Sequence, residues 1–172
     1  MNTRKAQYVV SPIGRCDRPY RGFTLLELML VITIAAVLSG IGIPSFTRLI
    51  ADQRIIVAAS EFQMALWRTR SEAIRLNRAV TLTPADGKLW ESGWVALDPT
   101  IANHELIHRD PLEGVIVSSR ATSLVYRPSG RLGGTAQASF EIASKTSSTP
   151  EKRCVRIDLS GQPMMLKQGC SP

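Results

Sequence analysis

The sequence predicts an α+β protein in which a long N-terminal helix, first transmembrane and then amphipathic, packs on a C-terminal antiparallel β-sheet head. Three patterns carry that prediction. An apolar run from Phe23 to Ile43 contains a single ionisable side chain, Glu27; a helical stripe follows from Ile55 to Leu76; and short β-branched runs take over after Arg78. The expected organisation is a leader over 1–22 that is removed, a transmembrane helix over 23–44, an amphipathic extension over 45–78 and a β-rich head over 79–172.

The leader is basic. Arg4, Lys5, Arg15, Arg18 and Arg21 stand against one acid, Asp17, so this end stays in the cytoplasm and everything after the span lies outside. The apolar run that follows covers roughly 31 Å as a helix, the thickness of a hydrocarbon core. The small residues between Ala35 and Gly40 resemble the cleavage site of a secretory signal, but such signals carry apolar regions of about 7–15 residues and have no use for an embedded acid.

Glu27 is the feature that needs a reason. A carboxylate on an isolated spanning helix costs on the order of a few kcal/mol unless something pairs with it or its headgroup surroundings satisfy it. Further along, Pro44 with Gly40 and Gly42 before it removes one helical hydrogen bond and lowers helix propensity, so a kink or local melting is expected there.

The stretch Gly22-Phe23-Thr24-Leu25-Leu26-Glu27 resembles the processing signal of type IV prepilins and type II secretion pseudopilins. The resemblance implies several things. A prepilin peptidase cuts between Gly22 and Phe23 and methylates the new terminus at Phe23, and Glu27 meets the terminal amine of a neighbouring subunit during filament assembly. Pairing in trans is also sound physics, because it removes an unpaired charge from a low-dielectric medium. The implied partners are that peptidase, other major or minor pilins or pseudopilins, and the lipid of the inner membrane; the implied destination is a pilus or pseudopilus, near its tip, with the head in the periplasm.

Ile55, Ala59, Phe62, Leu66, Thr69, Ala73 and Leu76 recur at alternating steps of four and three, with charged residues between them. A coiled coil has the same pattern, but the β-rich sequence downstream needs a helix to cover it, which favours packing against the chain's own sheet. Strands are expected at Ala79–Thr83, Gly93–Leu97, Glu105–His108, Gly114–Ser118, Ser123–Arg127, Cys154–Leu159 and Met164–Lys167, the last two joined by a turn at Ser160-Gly161-Gln162-Pro163. The stretches from Arg70 to Val80, Gly87 to Pro99 and Tyr126 to Gly134 resemble the GspH/FimT/FimU group of minor pilins and pseudopilins. The Ser/Thr-rich segment from Thr135 to Lys152 does not, and reads as a variable loop.

Cys16 belongs to the leader, which leaves Cys154 and Cys170 as an even pair facing an oxidising compartment, and a disulfide between them is expected. The whole chain carries a net charge of +7 with a pI near 9.8. Most of that excess is leader, and the segment from Ala79 onward holds ten basic and nine acidic side chains.

The charge balance bears on DNA uptake, the function of some members of the resembled group. Lys152, Arg153, Arg156 and Lys167 are the residues that would contact DNA, too few for the phosphate track such a role requires. No catalytic motif is present: the Gly130–Gly134 segment lacks a phosphate loop's Lys-Ser/Thr ending, no Gly-x-Ser-x-Gly occurs, and His104 and His108 have no acidic partner at metal-site spacing. No enzyme, cofactor or metal is expected. The reading is a minor pilin of a type IV pilus, with a type II secretion pseudopilin as the alternative of identical anchor.

Overall fold

The structure, a computed structural model, describes residues 22–146 and 151–170. The leader with Cys16 lies outside the described residues. Two compact units divide the chain, Met1–Ile41 and Gly42–Pro172.

Helix α1 (Leu25–Leu76) begins in the first unit and continues into the second. Its first turn is capped by Thr24, whose Oγ1 accepts the Glu27 N–H at 3.2 Å and whose carbonyl accepts the Leu28 N–H at 3.1 Å. Thr followed three residues later by Glu is the sequence pattern of such a cap. The hydroxyls within the apolar run are satisfied by the helix itself: Thr33 Oγ1 donates to the Met29 carbonyl and Ser39 Oγ to the Ala35 carbonyl, both at 2.7 Å. That arrangement leaves no polar side-chain group needing water in the hydrocarbon region at those two positions. The side chains from Phe23 to Leu38 are exposed within the chain.

In the second unit the stripe behaves as its spacing demands. Ile55, Ala59, Phe62, Leu66, Thr69 and Ala73 are at most 1% exposed, and Leu76 packs at the edge of the same core. Thr69 is tolerated there because its hydroxyl donates to the Ala65 carbonyl at 2.7 Å.

Among the described residues eight strands follow: β1 (Val80–Pro84), β2 (Trp94–Leu97), β3 (Glu105–Arg109), β4 (Val115–Ser119), β5 (Leu124–Tyr126), β6 (Ala138–Ser144), β7 (Lys152–Ile157) and β8 (Pro163–Leu166). They form two four-stranded antiparallel sheets, ordered β3-β2-β1-β5 and β4-β6-β7-β8. The expected strands are present within a residue or two.

The segment expected to be a variable loop requires correction, because it contains β6, the longest strand, inside the second sheet between β4 and β7. Phe140, Ile142 and Ser144 turn into the core while Ser139, Glu141 and Ala143 alternate with them. Lys152, placed at the end of the same presumed loop, opens β7.

Both sheets meet α1 through aromatic side chains. The Phe62 ring lies 5.0 Å from Trp94 of β2, 4.7 Å from Phe140 of β6 and 5.5 Å from Trp90 of a 3₁₀ turn (Trp90–Ser92). Tilted and edge-to-face geometries prevail, as the ring quadrupoles favour. The Trp90 indole satisfies its N–H on the Ala121 carbonyl at 2.7 Å.

Polar ties complete the packing of α1. Glu61 Oε2 accepts from Arg109 Nε at 2.9 Å, Arg70 Nε donates to the Gly130 carbonyl at 2.9 Å, and Gln63 Nε2 donates to the Pro163 carbonyl at 3.2 Å. Gly93 explains part of the Gly-Trp pattern at the start of β2: its φ is 90°, and a Cβ there would stand 2.0 Å from the Arg109 carbonyl oxygen.

Candidate assembly site

The proposed processing junction lies just ahead of α1. A Cβ built on Gly22 meets nothing within 4 Å, so the fold itself does not require glycine at that position. Five residues into a chain starting at Phe23 comes Glu27, an exposed side chain in the first turn of α1. Its backbone N–H is held by Thr24, but its carboxylate has no hydrogen-bond or ion-pair partner among the described residues. An unsatisfied acid in an apolar setting is an acceptor for a cation brought by another molecule. One helix in the described residues, α1, is long and apolar enough to cross a membrane, and it is the helix carrying this acid.

The disulfide links Cys154 of β7 to Cys170, with Cα atoms 4.9 Å apart and a sequence separation of 16. Strand pairing of β7 with β8 stops at Cys154 opposite Leu166, so the bridge secures the chain beyond the last paired residue. The turn before β8 is also fixed. Asp158 Oδ1 accepts from Ser160 Oγ and from the Gln162 N–H, and Gly161 adopts φ 82° where a Cβ would stand 2.1 Å from the Gly130 carbonyl oxygen. Those hydrogen bonds hold the Asp158 carboxyl below its ordinary pKa, the Ser160 hydroxyl contributing most.

The four cations considered for DNA are not brought together as a free cluster. Lys152 Nζ is bound to Glu141 Oε1 at 2.6 Å, and Arg153 Nη2 to Glu151 Oε1 at 2.6 Å. Arg153 is also buried, 7% exposed, because it faces the opposite side of β7 from Lys152. Arg156 is half-buried and Lys167 exposed.

Glu141 is the residue the sequence reading missed here. Besides Lys152, it accepts the Cys170 N–H on Oε2 at 3.2 Å, tying β6 to the C-terminal segment. The alternation Phe140-Glu141-Ile142 was the available signal.

His104 lies in the β2–β3 loop, its Nδ1 3.5 Å from Asp98 Oδ2, and His108 on β3 stands between Glu105 and Asp110. Among the described residues no group of three or more metal-binding side chains converges. Asp98 serves the loop: its Oδ1 accepts from both the hydroxyl and the N–H of Thr100, which hold its carboxyl below the ordinary value, the hydroxyl first.

An apolar N-terminal helix whose second half forms the spine of an antiparallel β head, with an unpaired acid near the start, defines a pilin-type filament subunit. The chain belongs to the GspH family: the Type II transport protein GspH family matches residues 58–161, and the prokaryotic N-terminal methylation motif matches residues 17–43. Its fold is similar to that of the type IV minor pilin FimU of Pseudomonas aeruginosa strain PAO1 in two crystal forms. One form gives a TM-score of 0.58 at 20% identity over 66% of this chain and 89% of that one; the other gives 0.55 at 21% over 64% and 90%. No curated protein matches the chain significantly.

Proposed function

We propose that the protein is a minor pilin that takes part in type IV pilus assembly or priming. A prepilin peptidase cleaves between Gly22 and Phe23 and methylates Phe23. The processed subunit is held in the inner membrane by residues 23–44, in contact with lipid, with residues 45–78 extending the helix and residues 79–172 forming a periplasmic head. From there it enters the filament, near the tip, beside other pilins. Gly40, Gly42 and Pro44 give the helix a weak point at the end of the membrane segment, because Pro44 has no N–H to donate. The chain works by binding and not by catalysis.

The observation that supports this most strongly is the unpartnered Glu27 carboxylate, five residues into the processed chain. A neighbour's terminal amine in the same apolar layer would neutralise it, so association relieves a cost that each subunit bears alone. The matched family description favours a second reading, a minor pseudopilin of type II secretion, built by the same steps. A DNA-uptake role has less support, since two of its four cations already pair with Glu141 and Glu151.

Mass spectrometry of the membrane-extracted protein tests the first step. The expected N-terminus is methylated Phe23. An intact leader, or a terminus near Gly40, contradicts the reading.

A further inference from the structure

The outward face of the β4-β6-β7-β8 sheet holds an open concavity of about 730 Å³. Its floor comes from cross-strand neighbours: Ser118 of β4 opposite Glu141 of β6, and Ser139 of β6 opposite Arg156 of β7. Arg120 stands on its rim, in the link between β4 and β5.

Charge is unbalanced in this hollow. Glu141 is committed to Lys152 and to the Cys170 N–H. The side chains of Arg120 and Arg156 have no ion pair or hydrogen bond among the described residues, and the Arg156 Nε is buried without a partner. A guanidinium that has lost water at Nε and gained nothing in return is held ready for an acceptor, and a carboxylate matches its planar fork.

The geometry points to this hollow as a receptor for an acidic side chain of a neighbouring pilin-type subunit, with Arg156 and Arg120 clasping the carboxylate and the Ser118 and Ser139 hydroxyls donating beside them. The occupant rests on the assembly reading above. Protein is favoured over nucleic acid on the lining itself. One half-buried guanidinium and one on the rim can take one carboxylate, whereas a nucleic acid strand needs a track of free cations and aromatic faces for its bases, and no aromatic or histidine side chain lines the hollow.

The test uses the full processed chain, ¹⁵N-labelled in detergent micelles. The Arg156 Nε–H resonance, identified by its loss in Arg156→Gln, is followed during titration with the capped peptide Gly-Glu-Gly, with capped Gly-Gln-Gly and with a duplex oligonucleotide. The glutamate peptide shifts that resonance saturably and the glutamine peptide does not. Arg120→Gln, on an exposed link, weakens the glutamate response at least about fivefold while the backbone spectrum stays unchanged.

No saturable shift, or equal shifts from both peptides, overturns the proposal. So does a response to DNA at lower concentration than to the peptide. Filament recovery separates this proposal from the assembly reading. A wild-type chain present in filaments but with an unresponsive Arg156 overturns the hollow alone. A chain that binds the peptide but is absent from filaments overturns the neighbouring subunit as occupant together with the assembly reading.

Discussion

The Phe62 ring of α1 lies 4.7 Å from the Phe140 ring of β6, and both side chains are at most 1% exposed. That contact joins the helix to the one strand whose surrounding sequence looks like a loop. Through Trp94, Phe62 also reaches the first sheet, so a single helical residue sits where the helix and both sheets meet.

Truncating either ring should therefore cost more than an ordinary core substitution at the edge of the head. Phe62→Ala or Phe140→Ala is expected to destabilise the fold by about 3–5 kcal/mol, measured by chemical denaturation of the processed chain. The double variant should fall short of the sum by roughly 0.5–1.5 kcal/mol, the worth of the ring pair.

Replacing Cys154 and Cys170 together by Ser should remove about 3 kcal/mol of stability and lower the melting temperature by roughly ten degrees. A thiol titration under denaturing conditions of the processed wild type should find no free thiol, since Cys16 leaves with the leader. The hairpin turn should survive in the variant, because Asp158 and Gly161 fix it independently of the bridge.

Asp98 makes the head sensitive to acid. Its folded pKa is lowered, so its contribution is present above the unfolded value of about 3.9 and is lost as pH falls through the lower folded value. Denaturation series from roughly pH 6 down to pH 2 should show a steeper loss of stability below about pH 4 in wild type than in Asp98→Asn. Thr100→Val should flatten the same limb in part, because the Thr100 hydroxyl is the largest cause of the shift.

Much of this molecule could be read from residue types and spacing. The stripe from Ile55 to Leu76 marked the buried face of α1, since a β-rich segment beside it needs a helix to cover it, which a coiled coil of the same spacing would not supply. The Ser160–Pro163 turn and the Cys154–Cys170 bridge followed from turn chemistry and from cysteine count. Strand β6 was hidden because its polar positions are Ser139, Glu141 and Ser144 and only Phe140 and Ile142 carry the apolar alternation, too short a signal beside a Ser/Thr-rich neighbour. The division into two sheets was also not legible, as pairing partners depend on long-range register. Among the charged residues, sequence proximity grouped Lys152, Arg153 and Arg156, while the pleat of β7 turned Arg153 inward and left the other two on the opposite face. The acidic partners of Lys152 and Arg153, Glu141 and Glu151, lie in the Ser/Thr-rich segment whose composition resembles a loop.

The account rests most directly on Glu27, and the decisive measurement compares how much wild type and Glu27→Ala enter the filament. Both are expressed at equal level, and subunit is quantified in the membrane and in sheared filaments. The account predicts equal insertion, equal cleavage at Phe23 and a loss of at least about tenfold from the filament fraction of the variant, because the alanine removes the charge that a neighbour's amine would neutralise. Equal recovery of the two proteins from filaments would contradict it.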